Sequence, residues 1–274
     1  MRAQTAVTLP RLPWGSRVLL KETAIFPLVH LYFAGSVLGP LTDAEILGAI
    51  LPDALILAGI SWEDSHAMGP RLYRYAVARQ PHLTGMARAA LTHGASPPGL
   101  DYFGDKSCGK GHPGFAFRLG SLMASRAAGV CRLPEDLGLW KAHNFVEMAA
   151  EVIVSREHSQ LAGRLRQVLV SSFVLEPAAG LVAAALEVER DAVAAALRRL
   201  PGYLELGNIS PRRLAAKYQL QLNHRHGVKG ACLEDLEELI NDCIPLVEPR
   251  LEAFLDKSRR EVQHMLEGYP LPAG

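Results

Sequence analysis

Apolar residues recur every three to four positions along most of the chain, the spacing of one face of an α-helix rather than the strict alternation of a strand. The pattern predicts helices over 24–38, 43–51, 71–79, 82–92, 115–128, 134–155, 158–173, 178–200, 211–222 and 233–267. Several carry start signals: Thr42 stands before "DAE", Pro134 is followed by Glu135 and Asp136, and Ser210 precedes Pro211 at a first helical position. Pro245 should kink or split the last helix, because its ring removes a ladder hydrogen bond and crowds the preceding turn. β-branched alternation is scarce, so the expected class is all-α, a multi-helix bundle. One stretch breaks the pattern. Residues 96–114, "SPPGLDYFGDKSCGKGHPG", hold Pro97, Pro98, Pro113 and many glycines and read as a loop, and a loop of that length in a helical chain is more often functional than idle.

A change of character near "FVLEPAAGL" suggests a metal-binding helical domain over 1–175 and a plainer helical extension over 176–274, unless both form one continuous bundle. The apolar run 24–39 falls short of the roughly 20 residues a membrane span needs and contains Pro27 and His30. It also lacks the early position and small-residue cleavage site of a signal peptide, so a cytoplasmic protein without a transmembrane segment is expected. With 274 residues, 49% of them hydrophobic, the chain can bury a large core. Its 29 basic side chains balance 28 acidic ones, which gives no field to hold a phosphate backbone, and nucleic-acid binding is not indicated. Cys108, Cys131, Cys232 and Cys243 form no C-x-x-C pair, which argues against a thiolate metal site and for free thiols.

The polar residues that could do chemistry crowd into the first half: Asp53, Glu63, Asp64, His66, His93, Asp101, Asp105, His112, His143 and Glu147. Carboxylates and imidazoles without thiolates are the donor set of zinc, iron or manganese in a hydrolytic or redox site. In "WKAHNFVEMAAE", His143 and Glu147 stand four apart and project from one helix face, where they can grip one ion among Ala142, Phe145, Met148 and Ala149. A buried carboxylate is costly unless paired or metal-bound. Each residue also has a plainer reading. His143 and Glu147 could pair along a wet face, His93 could answer a helix dipole, Asp53 could cap a helix after Pro52, Asp101 could serve a turn, and His66 could lie on the surface.

The succession "VHLYFAG", "GAILPDA", "SWEDSH", "LTHGASPPGLD" and "KAHNFVEMAAE" resembles the zinc-dependent phospholipase C superfamily, whose fold is shared with single-strand-specific zinc nucleases. The resemblance spans about residues 24–157. It implies an all-α fold, two or three zinc ions (other divalent metals being open), and metal-dependent hydrolysis of a small-molecule or lipid phosphodiester. It carries the ligand role to His30, Asp53, His66, His93, Asp101, His143 and Glu147, and gives Asp53 a catalytic role in orienting or deprotonating the attacking water. Glu63, Asp64, Asn144 and Glu151 would support the imidazoles from behind, and the 96–114 loop, with Asp105 and His112, would form the rim. Trp62, Tyr102, Phe103 and Phe115 would supply its aromatic surface, and Lys106, Lys110 and Arg118 its thin positive charge. The family sets His and Asp four apart on one helix, whereas Asp101 stands eight after His93 beyond two prolines, so the chain must loop back. The family's N-terminal tryptophan ligand has only the internal Trp14 to match it.

A rival expectation is a non-catalytic helical metal-binding or interaction protein, a homo-oligomer through its C-terminal helices. Its seam would be Leu236, Leu239, Ile240, Cys243, Leu251, Phe254 and Leu255, which ordinary core packing explains equally well. A histidine-aspartate phosphohydrolase would need a His-Asp dipeptide, and none occurs.

Overall fold

The structure, a computed structural model, describes residues 26–106 and 112–271. Trp14, Cys108 and Lys110 lie outside them, as does the start of the first predicted helix. Among the described residues every regular element is helical. The first group is α1 (Pro27–Leu38), α2 (Asp43–Ile56), a four-residue α3 (Trp62–Ser65), α4 (Gly69–Arg79) and α5 (Thr84–His93). Then follow α6 (Phe115–Gly120), α7 (Ala124–Val130), α8 (Gly138–Glu157), α9 (Gln160–Leu169), α10 (Ser172–Leu186), α11 (Arg190–Arg199), α12 (Pro211–His226) and α13 (Leu233–Leu266).

Local chemistry starts these helices. Thr42 and Glu45 form a reciprocal capping box at α2, and the Ser61 hydroxyl accepts from the Asp64 amide at α3. Proline does not end helices here as expected from the sequence. α2 continues through Pro52 to Ile56, so Asp53 sits in its last turns rather than capping a following helix. α13 runs through Pro245 and Pro249 without interruption. In both cases the apolar face on either side of the proline is buried, and that packing outweighs a missing hydrogen bond. The predicted helix over 178–200 is instead two: α10 ends where Glu187 turns left-handed at φ 59, with the Glu187 and Val188 amides donating back to the Ala183 carbonyl.

One contiguous core includes Leu28, Leu51 and Phe145 of the first half together with Leu181, Leu197, Leu239 and Val262 of the second. α2 packs along α5, and α8 is flanked by α6, α7 and α13. The apolar seam of α13 is consumed by this core, since Leu236, Leu239, Ile240 and Cys243 are fully buried and Phe254 stacks on Phe115 at 4.2 Å. The packing explanation of that seam therefore holds for these residues. No single helix among the described residues is long and apolar enough to cross a membrane; α9 and α10 satisfy length and composition only as a pair, bent by 71°.

Candidate metal centre

Six segments converge on one pocket. α1 brings His30, α2 brings Asp53, the end of α3 brings His66, α5 ends on His93, a short helical turn over residues 100–106 brings Asp101 and Asp105, and α8 brings His143 and Glu147. The return of Asp101 towards His93 is made by a tight fold of the chain. The amides of Ala95 and Ser96 both donate to the His66 carbonyl, and the Gly99 amide donates to Gly94 at 2.8 Å. A Cβ on Gly99 would lie 2.6 Å from the Gly94 oxygen and 2.7 Å from the His93 carbonyl carbon, so this crossing accepts only glycine.

Asp101 stands at the middle. Its Oδ2 is 2.9 Å from His66 Nε2 and 3.4 Å from His93 Nε2, and its Oδ1 is 3.4 Å from His30 Nε2. Asp53 faces the same two imidazoles with its two oxygens, 3.5 Å from His66 Nε2 and 3.8 Å from His93 Nε2. His30 and His93 stack in parallel with centroids 3.6 Å apart. Three sets each offer donor atoms close enough to hold a metal ion: His30 with His93 and Asp101; Asp53 with His66 and His93; and Asp105 with His143 and Glu147.

The far nitrogens of two imidazoles decide what the near ones can do. His66 Nδ1 lies 2.9 Å from the Trp62 carbonyl and His93 Nδ1 2.7 Å from the Ala49 carbonyl. A carbonyl only accepts, so both Nδ1 atoms carry the hydrogen and both Nε2 lone pairs of the neutral rings point at carboxylates. Lone pair against carboxylate is repulsive unless a proton or a cation lies between them. Both Nε2 atoms, together with His30 Nδ1, His143 Nδ1 and Asp105 Oδ1, are buried without a hydrogen-bond partner. Those orphaned atoms fit a divalent cation.

No protein-family model, curated protein or solved structure matches the chain.

The charges of the pocket speak for themselves. Burial opposes charge on His66, yet the Asp101 and Asp53 carboxylates facing its Nε2 favour the protonated ring and raise its pKa to about 10. Burial and the neighbouring His93 lower His30 to about 4. Burial likewise opposes ionisation of Asp101, but His93, His30 and His66 hold it well below the usual carboxylate range. On the other side of the pocket, burial and Asp101 push Asp105 up to about 8, and burial with Asp105 pushes Glu147 well above its ordinary value. Burial lowers His143 to about 3.

The supporting residues differ from the expectation. Glu63 and Asp64 are exposed, and Asp64 hydrogen-bonds Ser61 at the start of α3; the His66 and His93 rings are held by main-chain carbonyls. Glu151 touches no imidazole: its carboxylate accepts from the amides of Leu28 and Val29 at 3.0 and 3.1 Å and caps α1, which has no cap of its own. Asn144 donates to the Tyr218 hydroxyl of α12. His112 is exposed, and Phe115 is buried under Phe254 rather than at a rim. Asp105, expected at the rim, joins His143 and Glu147. The surround of His143 was not foreseen. Its ring stacks on Phe117 at 4.3 Å and meets Trp140 edge-on at 5.1 Å. Trp62 covers His66 and carries the Lys106 ammonium 4.9 Å from its ring centre.

Proposed function

We propose that this chain is a metal-dependent phosphodiester hydrolase with a zinc cluster of two or three ions. The observation that carries the reading is the convergence of four imidazoles and four carboxylates, two of those imidazoles being locked with their lone pairs facing acids. Zinc bound there would neutralise charge on a phosphodiester and bring a water towards the acidity needed for attack at neutral pH, from a pKa of 15.7 to about 7. Asp101, within reach of three imidazoles, is suited to be shared between ions. Asp53 holds a proton acceptor beside His66 and His93 and is the candidate for orienting the attacking water. Lys106 lies over Trp62, whose ring covers His66, and would lend a positive charge to a phosphate bound nearby. Lipid and small soluble phosphodiesters are both compatible with that charge.

The test is metal content together with turnover. Protein purified without added metal should carry two or three zinc equivalents and hydrolyse bis(4-nitrophenyl) phosphate. His93→Ala, which removes a residue common to two of the three sets, should lose zinc and bring hydrolysis to background. A zinc-loaded chain inert towards model, lipid and nucleotide phosphodiesters would leave the non-catalytic metal-binding protein as the answer.

A further inference from the structure

The run over 168–175, "VLVSSFVL", sends its apolar side chains two ways. Val168, Leu169 and Leu175 are buried, whereas Val170 is 75% and Phe173 92% exposed. The outward pair sits at the corner where α9 and α10 meet with a bend of 71°. Main-chain bonds close that corner: the Ser171 amide donates to the Val168 carbonyl at 3.1 Å and the Leu175 amide to the Ser171 carbonyl at 3.0 Å. The inner faces of both helices, with Leu165, Ala178 and Leu181, lie in the core, so the corner is the part of the pair that an outside phase can meet. A hollow of about 340 Å³ joins it to α11 and the 200–202 turn, with Leu169, Leu175, Arg198 and Pro201 in its wall. Tyr203, 43% exposed, follows that turn.

The border of this apolar tip is positive. Arg166 stands one helical turn before Val170, and Glu176 one turn after Phe173. Glu176 is bound by Arg190 at 2.8 Å and by Arg198 at 2.9 Å, so one carboxylate faces three guanidinium groups. Between Gln160 and Leu175 there is no acid, and Glu189 and Asp191 stand at the far end of α11 from Arg198. Arg166 also donates to the Leu206 carbonyl, and each of these arginines keeps further N–H donors beyond its internal bond.

We propose that the α9–α10 corner docks on an anionic lipid surface, with Phe173 and Val170 entering the acyl boundary and Arg166, Arg190 and Arg198 meeting the headgroups. Apolar side chains ringed by arginines seat peripheral helices at a bilayer interface, and a tyrosine is at home at headgroup level. A negative leaflet attracts basic side chains, whereas a second copy of this chain would set like charges face to face. The proposal depends neither on metal binding nor on hydrolysis.

The experiment sediments the full chain, with a chelator present, on vesicles of phosphatidylcholine with and without phosphatidylserine. The mixed vesicles should carry the chain down and the neutral ones should not. Phe173→Ser should weaken that binding roughly 10–100-fold, the loss expected when one large apolar side chain no longer leaves water, with circular dichroism unchanged. Phe173→Trp should keep binding and gain tryptophan fluorescence that brominated lipid quenches. Absence of binding, equal binding to neutral vesicles, or binding indifferent to Phe173→Ser overturns the proposal. A dimer in the parent that Phe173→Ser abolishes, without vesicle binding, gives the corner to a second copy and overturns it too. Vesicle binding as expected in a chain inert towards phosphodiesters upholds the proposal and removes the enzyme reading alone.

Discussion

His143, Glu147 and Glu151 stand at equal intervals on α8 and do different work. The first two face the pocket, while Glu151 accepts from the amides at the start of α1, whose next residue is His30. Burial pushes Glu151 up to about 8, although the Leu28 and Val29 amides pull it down. A carboxyl with a higher pKa folded than unfolded binds more protons in the folded state. Its contribution is complete below the ordinary value of 4.5 and is lost as pH rises towards about 8. Glu151→Gln should flatten that decline: urea midpoints measured at about pH 5 and about pH 8 should differ less in the variant than in the parent. An unchanged difference would mean that Glu151 is not the group responsible. The clustering carboxylates and imidazoles were legible in the sequence because they interrupt apolar helices. Their supports were not, because carbonyls of Ala49 and Trp62 hold the imidazoles, and a main-chain atom has no signature in a sequence. Asp105 was read as part of the rim because it lies among prolines and glycines that read as loop, although its four-residue offset from Asp101 fits the helical turn found there.

α2 and α5 illustrate how an element fixes a site from a distance. α2 carries Asp53, α5 ends on His93, and the two helices press together at Gly48, where an added Cβ would stand 2.2 Å from the Met86 carbonyl oxygen and 3.0 Å from the Ala89 Cβ. Backbone cannot yield as a flexible side chain can. Gly48→Ala should therefore cost about 1–3 kcal/mol in chemical unfolding and loosen metal retention by displacing Asp53 from His93. Normal zinc content in a destabilised variant would show that the contact serves packing alone. Helix positions were readable from apolar spacing and caps such as Thr42. Helix ends were less so: Pro52 and Pro245 are overruled by buried faces on both sides, while nothing in the residue type of Glu187 announces a left-handed turn.

At the scale of the whole molecule, the second half explains its own presence by contact. α13 packs against α1, α5 and α8, each of which carries a residue of the three donor sets, and its Glu252 accepts from the Tyr32 hydroxyl of α1. Tyr218 of α12 reaches Asn144 beside His143. Such long-range joining has no local pattern, which is why the sequence left 176–274 without a rationale. The pocket in turn should hold the bundle together, since each site filled at ~100 times its dissociation constant adds about 2.7 kcal/mol. Thermal melting with and without a chelator should show a lower midpoint in its presence, and identical curves would deny the cluster any part in stability. The order of synthesis adds a constraint of its own. Every side chain of the three donor sets precedes Leu233, where α13 begins, so at ~5–20 residues per second the donors are made some seconds before α13 is complete. Among the described elements, the helix that packs against α1, α5 and α8 is therefore the last to be made.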